Sequence, residues 1–459
     1  MTRQSIASGR LCRAGAAAVL GLALAATAWA AVRPPRMDYR LVTLDNGLTV
    51  VLLEDHSTPI VHAALWYHVG SKDEPEGHTG FAHLFEHMMF NGSRHVAAEQ
   101  HTSMISSVGG QSNAYTNEDT TVYWETVPSQ YLPLVLWLEA DRMASLNVEE
   151  DAFVREREVV KEERRMRIEN QPYGRLSEII NEHAFSVHPY KHPVIGSMAD
   201  LEAASIEDVR AFHDTYYVPN NATLVLVGNF DTAQALSLVE THFGSIPRGA
   251  PIGRDIPEEP PQTAEERFTL EEDWPLPVVV VAYHIPYDGH PDSYPLHVAS
   301  KVLSDGQSSR IYRRLVYEDG LALAAFGGGN IIEHPNLFYA VAILQPGRSP
   351  ADATAALIEE LDRLKAEPLT EHELQRTKNQ FARDYVIGRE TNQEKASHLA
   401  HAVVLHDDIT TADGEFDIFT NITIEDVQRV ARTYFTAENR TVLTILPAGQ
   451  STAEQGRGR

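Results

Sequence analysis

The chain of 459 residues has almost no cysteine: Cys12 is the only one. Disulfides therefore cannot hold the fold, and a Cys-ligated zinc site or a thiol nucleophile is excluded. Basic charge is also short, with 38 Lys and Arg against 64 Asp and Glu and a net charge of -26. A surface of that sign repels polyphosphate, so nucleic acid is excluded as a partner. Long apolar runs are missing as well, apart from one stretch from Ala14 to about Ala28. Nothing after it is apolar for long enough to span a bilayer, so the mature chain is expected to have no membrane span.

That single run is expected to be a targeting segment. Arg3, Arg10 and Arg13 precede it, and Ala28-Trp29-Ala30 places small residues where a signal peptidase reads. The uninterrupted apolar run favours a signal peptide over residues 1–30, cleaved after Ala30, above a mitochondrial presequence. Cys12 stands before the run, so no lipoprotein anchor is indicated. Cleavage removes three Arg and no acid, which takes the net charge from -26 to -29. A periplasmic or secreted location is implied.

What the chain does have is centred on Gly80 to Gly92, which contains His83-Leu84-Phe85-Glu86-His87. Residues four apart on a helix lie one above the other, so His83 and His87 can present two imidazoles to one point, with Glu86 beside them. Zinc favours neutral imidazole nitrogens, and catalytic sites add a third protein ligand and keep one position open. A neighbouring carboxylate can then act as the base toward water. The order His-x-x-Glu-His reverses the His-Glu-x-x-His helix and keeps its parts. Phe81, Leu84, Phe85, Met88, Met89 and Phe90 surround the trio, which predicts a buried helix and argues against a surface cluster.

Length alone suggests two domains of about 200 residues. Tyr39 to Leu44 and Leu48 to Leu53 flank Asp45-Asn46-Gly47, a hairpin signal, and Ile60 to Val69 reads as a third strand. Thr79 is the expected N-cap of the histidine helix. Thr120 to Val127 reads as a strand, Tyr131 to Ala144 as a helix, and about Glu149 to Glu169 as another. The last holds four candidates for a third ligand: Glu156, Glu158, Glu162 and Glu163. At about 100° per residue, Glu163 and Glu156 share a face with Ala152, Val159, Val160 and Met166. Glu158 and Glu162 turn toward the Arg-rich side, where a solvated, salt-bridged role is expected.

Ile206-Glu207-Asp208-Val209 with Tyr216, Asn221 and Thr223 recurs as Ile424-Glu425-Asp426-Val427 with Tyr434, Asn439 and Thr441, at one offset of 218 residues. A repeat of that size implies duplicated domains. The expected divisions are 31–248 for a metal-binding domain, 249–266 for a Pro-rich linker, 267–448 for a second domain and 449–459 for a flexible tail. In the second copy the helix from about Ser293 to Leu303 offers only His297, so one zinc per chain is expected.

Together, His83-x-x-Glu86-His87, a glutamate 76 positions past His87, Gly110-x-x-Asn113-Ala114-x-Thr116 and two related halves resemble the pitrilysin/insulinase family of inverted zincins. The likeness runs from about Tyr39 to Pro447 and is greatest to short two-domain bacterial members and mitochondrial processing peptidases. It implies an α+β fold of two homologous domains, each a mostly antiparallel sheet covered by helices. It implies zinc held by His83, His87 and Glu163, with Glu86 as general base and Glu156 supporting the site from behind the ligands. Asn113 and Ala114 match the edge strand on which the family holds an extended peptide. The implied activity is zinc-dependent endopeptidase action on peptides or unfolded segments, and the alternative is a non-catalytic scaffold of the same fold. Complete members carry an Arg and a Tyr in the second half, where this chain has Val316 and Leu323. A related partner chain supplying both is therefore expected, in a heterodimer, with a homodimer as the other possibility. Arg310, Arg313 and Arg314 lie nearby and are expected to be solvated or structural.

Overall fold

A computed structural model describes residues 34–449. The expected signal segment and all but the first residue of the expected tail lie outside the described residues. Two sheets organise the chain. The first contains β1 (Tyr39–Thr43), β2 (Thr49–Glu54), β3 (Ile60–Tyr67), β4 (Gln111–Thr116), β5 (Thr121–Pro128) and β6 (Ala222–Gly228), in the order β1-β2-β6-β3-β5-β4. The second contains β7 (Glu266–Glu272), β8 (Val278–Ile285), β9 (Ala322–Gly329), β10 (Asn336–Leu344) and β11 (Arg440–Pro447), in the order β7-β11-β8-β10-β9. Only β2 with β6 and β7 with β11 pair in parallel; the other neighbours are antiparallel. With β1 set aside, the second sheet repeats the first strand for strand. The fold is two α+β domains of one design.

The helices used below are α1 (Phe81–Met88), α2 (Leu132–Ser145), α3 (Glu150–Arg164), α4 (Leu176–Ala184), α5 (Ile206–Tyr216), α6 (Ser293–Ser304), α7 (Asn392–His406), α8 (Thr411–Asn421) and α9 (Ile424–Tyr434). The 218-residue repeat has a local physical cause. Ser205 and Asp208 form a capping box at the start of α5, as Thr423 and Asp426 do at α9. At the other end Asn221 donates to the carbonyls of Tyr216 and His68, and Asn439 does the same to Tyr434 and His284. The repeated residues start each helix and fix its exit into the following strand.

Each half also covers the other. Ile179, Ile180 and Ala184 of α4 pack on Val278, Val280, Leu337, Val341, Leu443 and Ile445 of the second sheet. In return α7 lies on β3 and β6 of the first. Central strands buried on both faces need near-continuous apolar residues, and β3, β6 and β8 have them, interrupted only by His62, Thr223 and His284. A charged clasp joins the halves: Lys72 Nζ donates to Glu333 Oε2 at 2.8 Å, and His68 Nε2 reaches the same oxygen at 2.8 Å. Asp119 lies 3.3 Å from the Lys72 ammonium and accepts from Tyr190 Oη at 2.6 Å. No helix among the described residues is long and apolar enough to cross a membrane.

Candidate metal centre

α1 begins at Gly80, whose φ of +94° suits glycine, and a Cβ there would lie 2.7 Å from the Ile195 carbonyl oxygen. Thr79 does not cap the helix, contrary to the sequence reading. Its hydroxyl donates to Asp200 and accepts from the Ser197 N–H. The free N–H groups are instead met by the buried Glu74, whose two oxygens accept from Gly80 and Ala82 at 2.8 Å each. Phe81, Ala82, Leu84, Phe85 and Met88 are buried, and His83, Glu86 and His87 sit half-buried on the remaining face.

α3 brings the carboxylates. Glu163 Oε2 lies 3.2 Å from His87 Nε2 and 3.8 Å from His83 Nε2, so one atom of each residue falls within 4.8 Å of the others. Glu156 Oε2 lies 3.7 Å from the opposite ring nitrogen, Nδ1 of His87. Glu158 and Glu162 point outward and pair with Lys161 and Arg165 at 3.1 Å. The face expected for Glu163 is only partly apolar in its contacts. Ala152 and Val160 are buried, but Val159 is 45% exposed and Met166 60%. Glu163 lies on the rim of the buried stripe, and the helix widens into a π-turn over Arg165–Glu169 that carries Met166 outward.

The electrostatics of the cluster leave a place for a cation. Burial, then the charge of His87, pushes His83 down to about 4. Burial works against a charged His87 too, but Glu156 and Glu163 outweigh it and raise this ring to about 9. Glu163 is held below the usual carboxylate range, chiefly by its bond to His87. Burial raises Glu86, partly offset by the Thr116 hydroxyl, which donates to its Oε2 at 2.7 Å. Two imidazoles and one carboxylate with no Cys donor form the nitrogen and oxygen set that zinc takes. The His87 proton sits where a cation would, and His83 Nδ1 is buried without a hydrogen-bond partner.

The centre opens on a cleft of about 660 Å³. His83, Thr116 and Glu163 line one wall, and Phe326, Asn330 and Tyr339 of the second half line the other. β4 is the edge strand beside α1, paired with β5 on one side only. Asn113 and Ala114 stand opposite Trp124 and Tyr123, Asn113 exposed and Ala114 half-buried. Val316 packs on the core of the second half, and Leu323 is 53% exposed on β9. Arg310 is bound to Glu373, Arg313 to Glu318, and Arg314 to Asp319 and Glu359, and none of the three lines the cleft. Sequence reasoning assigned no role to Thr116, although its position stood in the quoted motif, nor to Glu74, which carries no local signal.

Residues 49–198 match the family described as insulinase (peptidase family M16), and residues 203–381 match the peptidase M16 inactive domain. The zinc protease PqqE of Helicobacter pylori is 30% identical over 437 residues, covering 94% of this chain and 98% of that protein. The mitochondrial-processing peptidase subunit beta of Lentinula edodes is 24% identical, covering 85% and 86%. The crystal structure of a protease from Helicobacter pylori superposes with a TM-score of 0.86 at 30% identity, over 90% of this chain and 100% of that one. On the repeated fold, the convergent histidines and these matches, the chain belongs to the insulinase family, peptidase family M16.

Proposed function

We propose that the chain is a zinc-dependent endopeptidase acting on peptides or unfolded polypeptide segments, and the metal-bearing subunit of a two-chain enzyme. The observation that carries this is the convergence of His83, His87 and Glu163 beside Glu86, at an edge strand that faces a cleft. Relatives named zinc proteases support it. His83, His87 and Glu163 would hold the ion. Zinc, when bound, supplies Lewis acidity toward the scissile carbonyl. The free edge of β4 holds the substrate as an added strand through main-chain hydrogen bonds, with Asn113 and Ala114 in contact. Glu86 takes a proton from the attacking water and returns it to the leaving nitrogen, and its raised pKa suits that exchange. Thr116 fixes the carboxylate for both transfers.

Val316 and Leu323 provide no donor for the oxyanion, a contact commonly worth about 3 kcal/mol. The proposal therefore includes a related chain that brings an Arg and a Tyr to this cleft. The same two residues favour a second reading, a peptide-binding scaffold that does not cleave. The Arg-led apolar segment before Ala30 supports a periplasmic or secreted location for the mature chain.

The test is to isolate the chain from its own host with whatever binds it, load it with zinc, and offer a mixed set of quenched fluorescent peptides. The expected outcome is turnover that disappears when the chain carries Glu86→Gln. A zinc-loaded assembly that binds peptides with no Glu86-dependent turnover would establish the scaffold reading instead.

A further inference from the structure

The second half contains a cluster that nothing in the peptidase reading uses. After β8 the chain turns through Asp288, and α7 ends in His401 and His406. Asp288 Oδ2 lies 2.8 Å from His401 Nε2 and 3.1 Å from His406 Nε2. One donor atom from each of the three falls within 4.8 Å of the others, the same condition that His83, His87 and Glu163 meet. The imidazole pairs are alike as well, with ring centroids 5.1 Å apart and nearly perpendicular here, against 4.9 Å and 72° at the first centre.

The hydrogen bonds around His406 fix which nitrogen faces the cluster. The Thr411 hydroxyl has one proton and donates it to the Asp408 carbonyl at 2.8 Å. It must therefore accept from His406 Nδ1, 3.0 Å away. That leaves Nε2 of the neutral ring as a lone pair, turned toward a carboxylate oxygen that also offers only lone pairs. Nε2 is buried 3.1 Å from that oxygen, and in the metal-free protein a proton shared with Asp288 occupies the gap and raises the ring's pKa. Two bases at that distance repel unless a positive species lies between them. A ligand histidine whose other nitrogen is held in this way is the arrangement metal sites use to set the tautomer.

The three groups border a small cavity of about 210 Å³, also lined by His398 and Glu415 of α8. No lysine or arginine among the described residues lines it, although Arg389 stands behind the wall, bound to His398 and the Ala412 carbonyl. The buried group His101, Glu125 and Glu139 differs on this point, because Arg142 already supplies its cation. His297, the histidine singled out in the second copy, takes no part: it lies against the Phe419 ring.

We propose that Asp288, His401 and His406 form a second divalent-metal site of the zinc class, with Glu415 lining the same cavity. Its place in the fold indicates a structural role. The N-terminal end of α7 is tied to the first half, by Asn392 to the Ile60 carbonyl and Lys395 to Asp55, and the helix lies on β3 and β6. An ion at the other end joins this crossing helix to the loop that follows β8. It clips the two halves together, and it departs from the expectation of one zinc per chain.

The mature full-length chain is stripped of metal, equilibrated with excess zinc, desalted and analysed for bound metal. Wild type is expected to retain two zinc ions per chain, and a His83→Ala/His87→Ala variant one. Adding His406→Gln to that variant is expected to remove the remaining ion, together with the visible band of its cobalt form and the rise in melting temperature on adding zinc. Asp288→Asn, which preserves shape, is expected to weaken the same ion at least tenfold. Folded His83→Ala/His87→Ala protein that retains no zinc overturns the proposal. So does an ion whose retention is unchanged in both His406→Gln and Asp288→Asn.

Discussion

Glu156 and Glu163 stand two helical turns apart on one face of α3, and each meets a different nitrogen of His87. That ring is held charged up to about 9 in the metal-free protein, whereas a zinc ligand must be neutral. The sign follows directly. At pH 7 the bound state has one proton fewer than the free state, so affinity is expected to fall about tenfold per pH unit as pH drops below about 9. Calorimetry in buffers of different ionisation enthalpy measures the protons released. Glu156→Gln removes one of the groups that raise His87, so it is expected to release fewer protons near pH 8 than wild type. Equal release in the two proteins would remove Glu156 from this role. His83→Ala and Glu163→Gln are each expected to lower zinc content, and metal analysis that finds it unchanged strikes that residue from the ligand set. The His-x-x-Glu-His spacing and the seven-residue interval between Glu156 and Glu163 were legible because helical periodicity governs both. Thr116 was not, because its bond to Glu86 spans elements that only the folded sheet brings together.

At the scale of elements, α1 depends on a residue outside itself. Glu74 lies six positions before Gly80 and is buried against the two N–H groups it caps. Glu74→Ala leaves both unpaired and is expected to cost about 1–2 kcal/mol, read as a lowered unfolding midpoint. Burial raises the pKa of this acid, so its charge contributes less than its acceptor atoms. Glu74→Gln, which retains one acceptor oxygen, is therefore expected to cost less than alanine; the reverse order would mean that charge does the capping. The sequence pointed to Thr79 because cap preferences are local, whereas this cap comes from a loop that bends back on the helix. The strands were easier to read. The largely apolar run of β3 marked it as a strand, but neither it nor the valine run of β8 revealed that α7 and α4 cover their second faces from the opposite half. A run of valines reports burial on both sides without naming the neighbour.

For the whole molecule the consequence is that the halves are interlocked, and the cleft wall opposite α1 is fixed by contacts such as Lys72 with Glu333. Burial disfavours the Glu333 charge, but His68 and Lys72 overcome this and depress it to about 2. A depressed carboxyl stabilises fully above its unfolded value, near 4.5, and that contribution is lost as pH falls through about 2. Breaking a buried ion pair costs about 3–5 kcal/mol; Asp119 and Asp73 also face the ammonium, so Glu333→Gln is expected at the low end. Chemical denaturation at pH 7 measures it, and the difference between wild type and variant is expected to shrink between pH 4.5 and 2. A difference that does not change with pH would show that the clasp holds through shape and not through charge. The 218-residue repeat made two related halves legible, while their exchange of helices has no signature in a single sequence.

The central claim is that α1 and α3 build a zinc centre whose chemistry passes through Glu86. Zinc content and peptide cleavage measured on one preparation of the Glu86→Gln protein, isolated with whatever binds it, test it most directly. The account predicts wild-type zinc with turnover reduced by about 10²–10⁴-fold or more. Wild-type turnover in that zinc-loaded variant would contradict it.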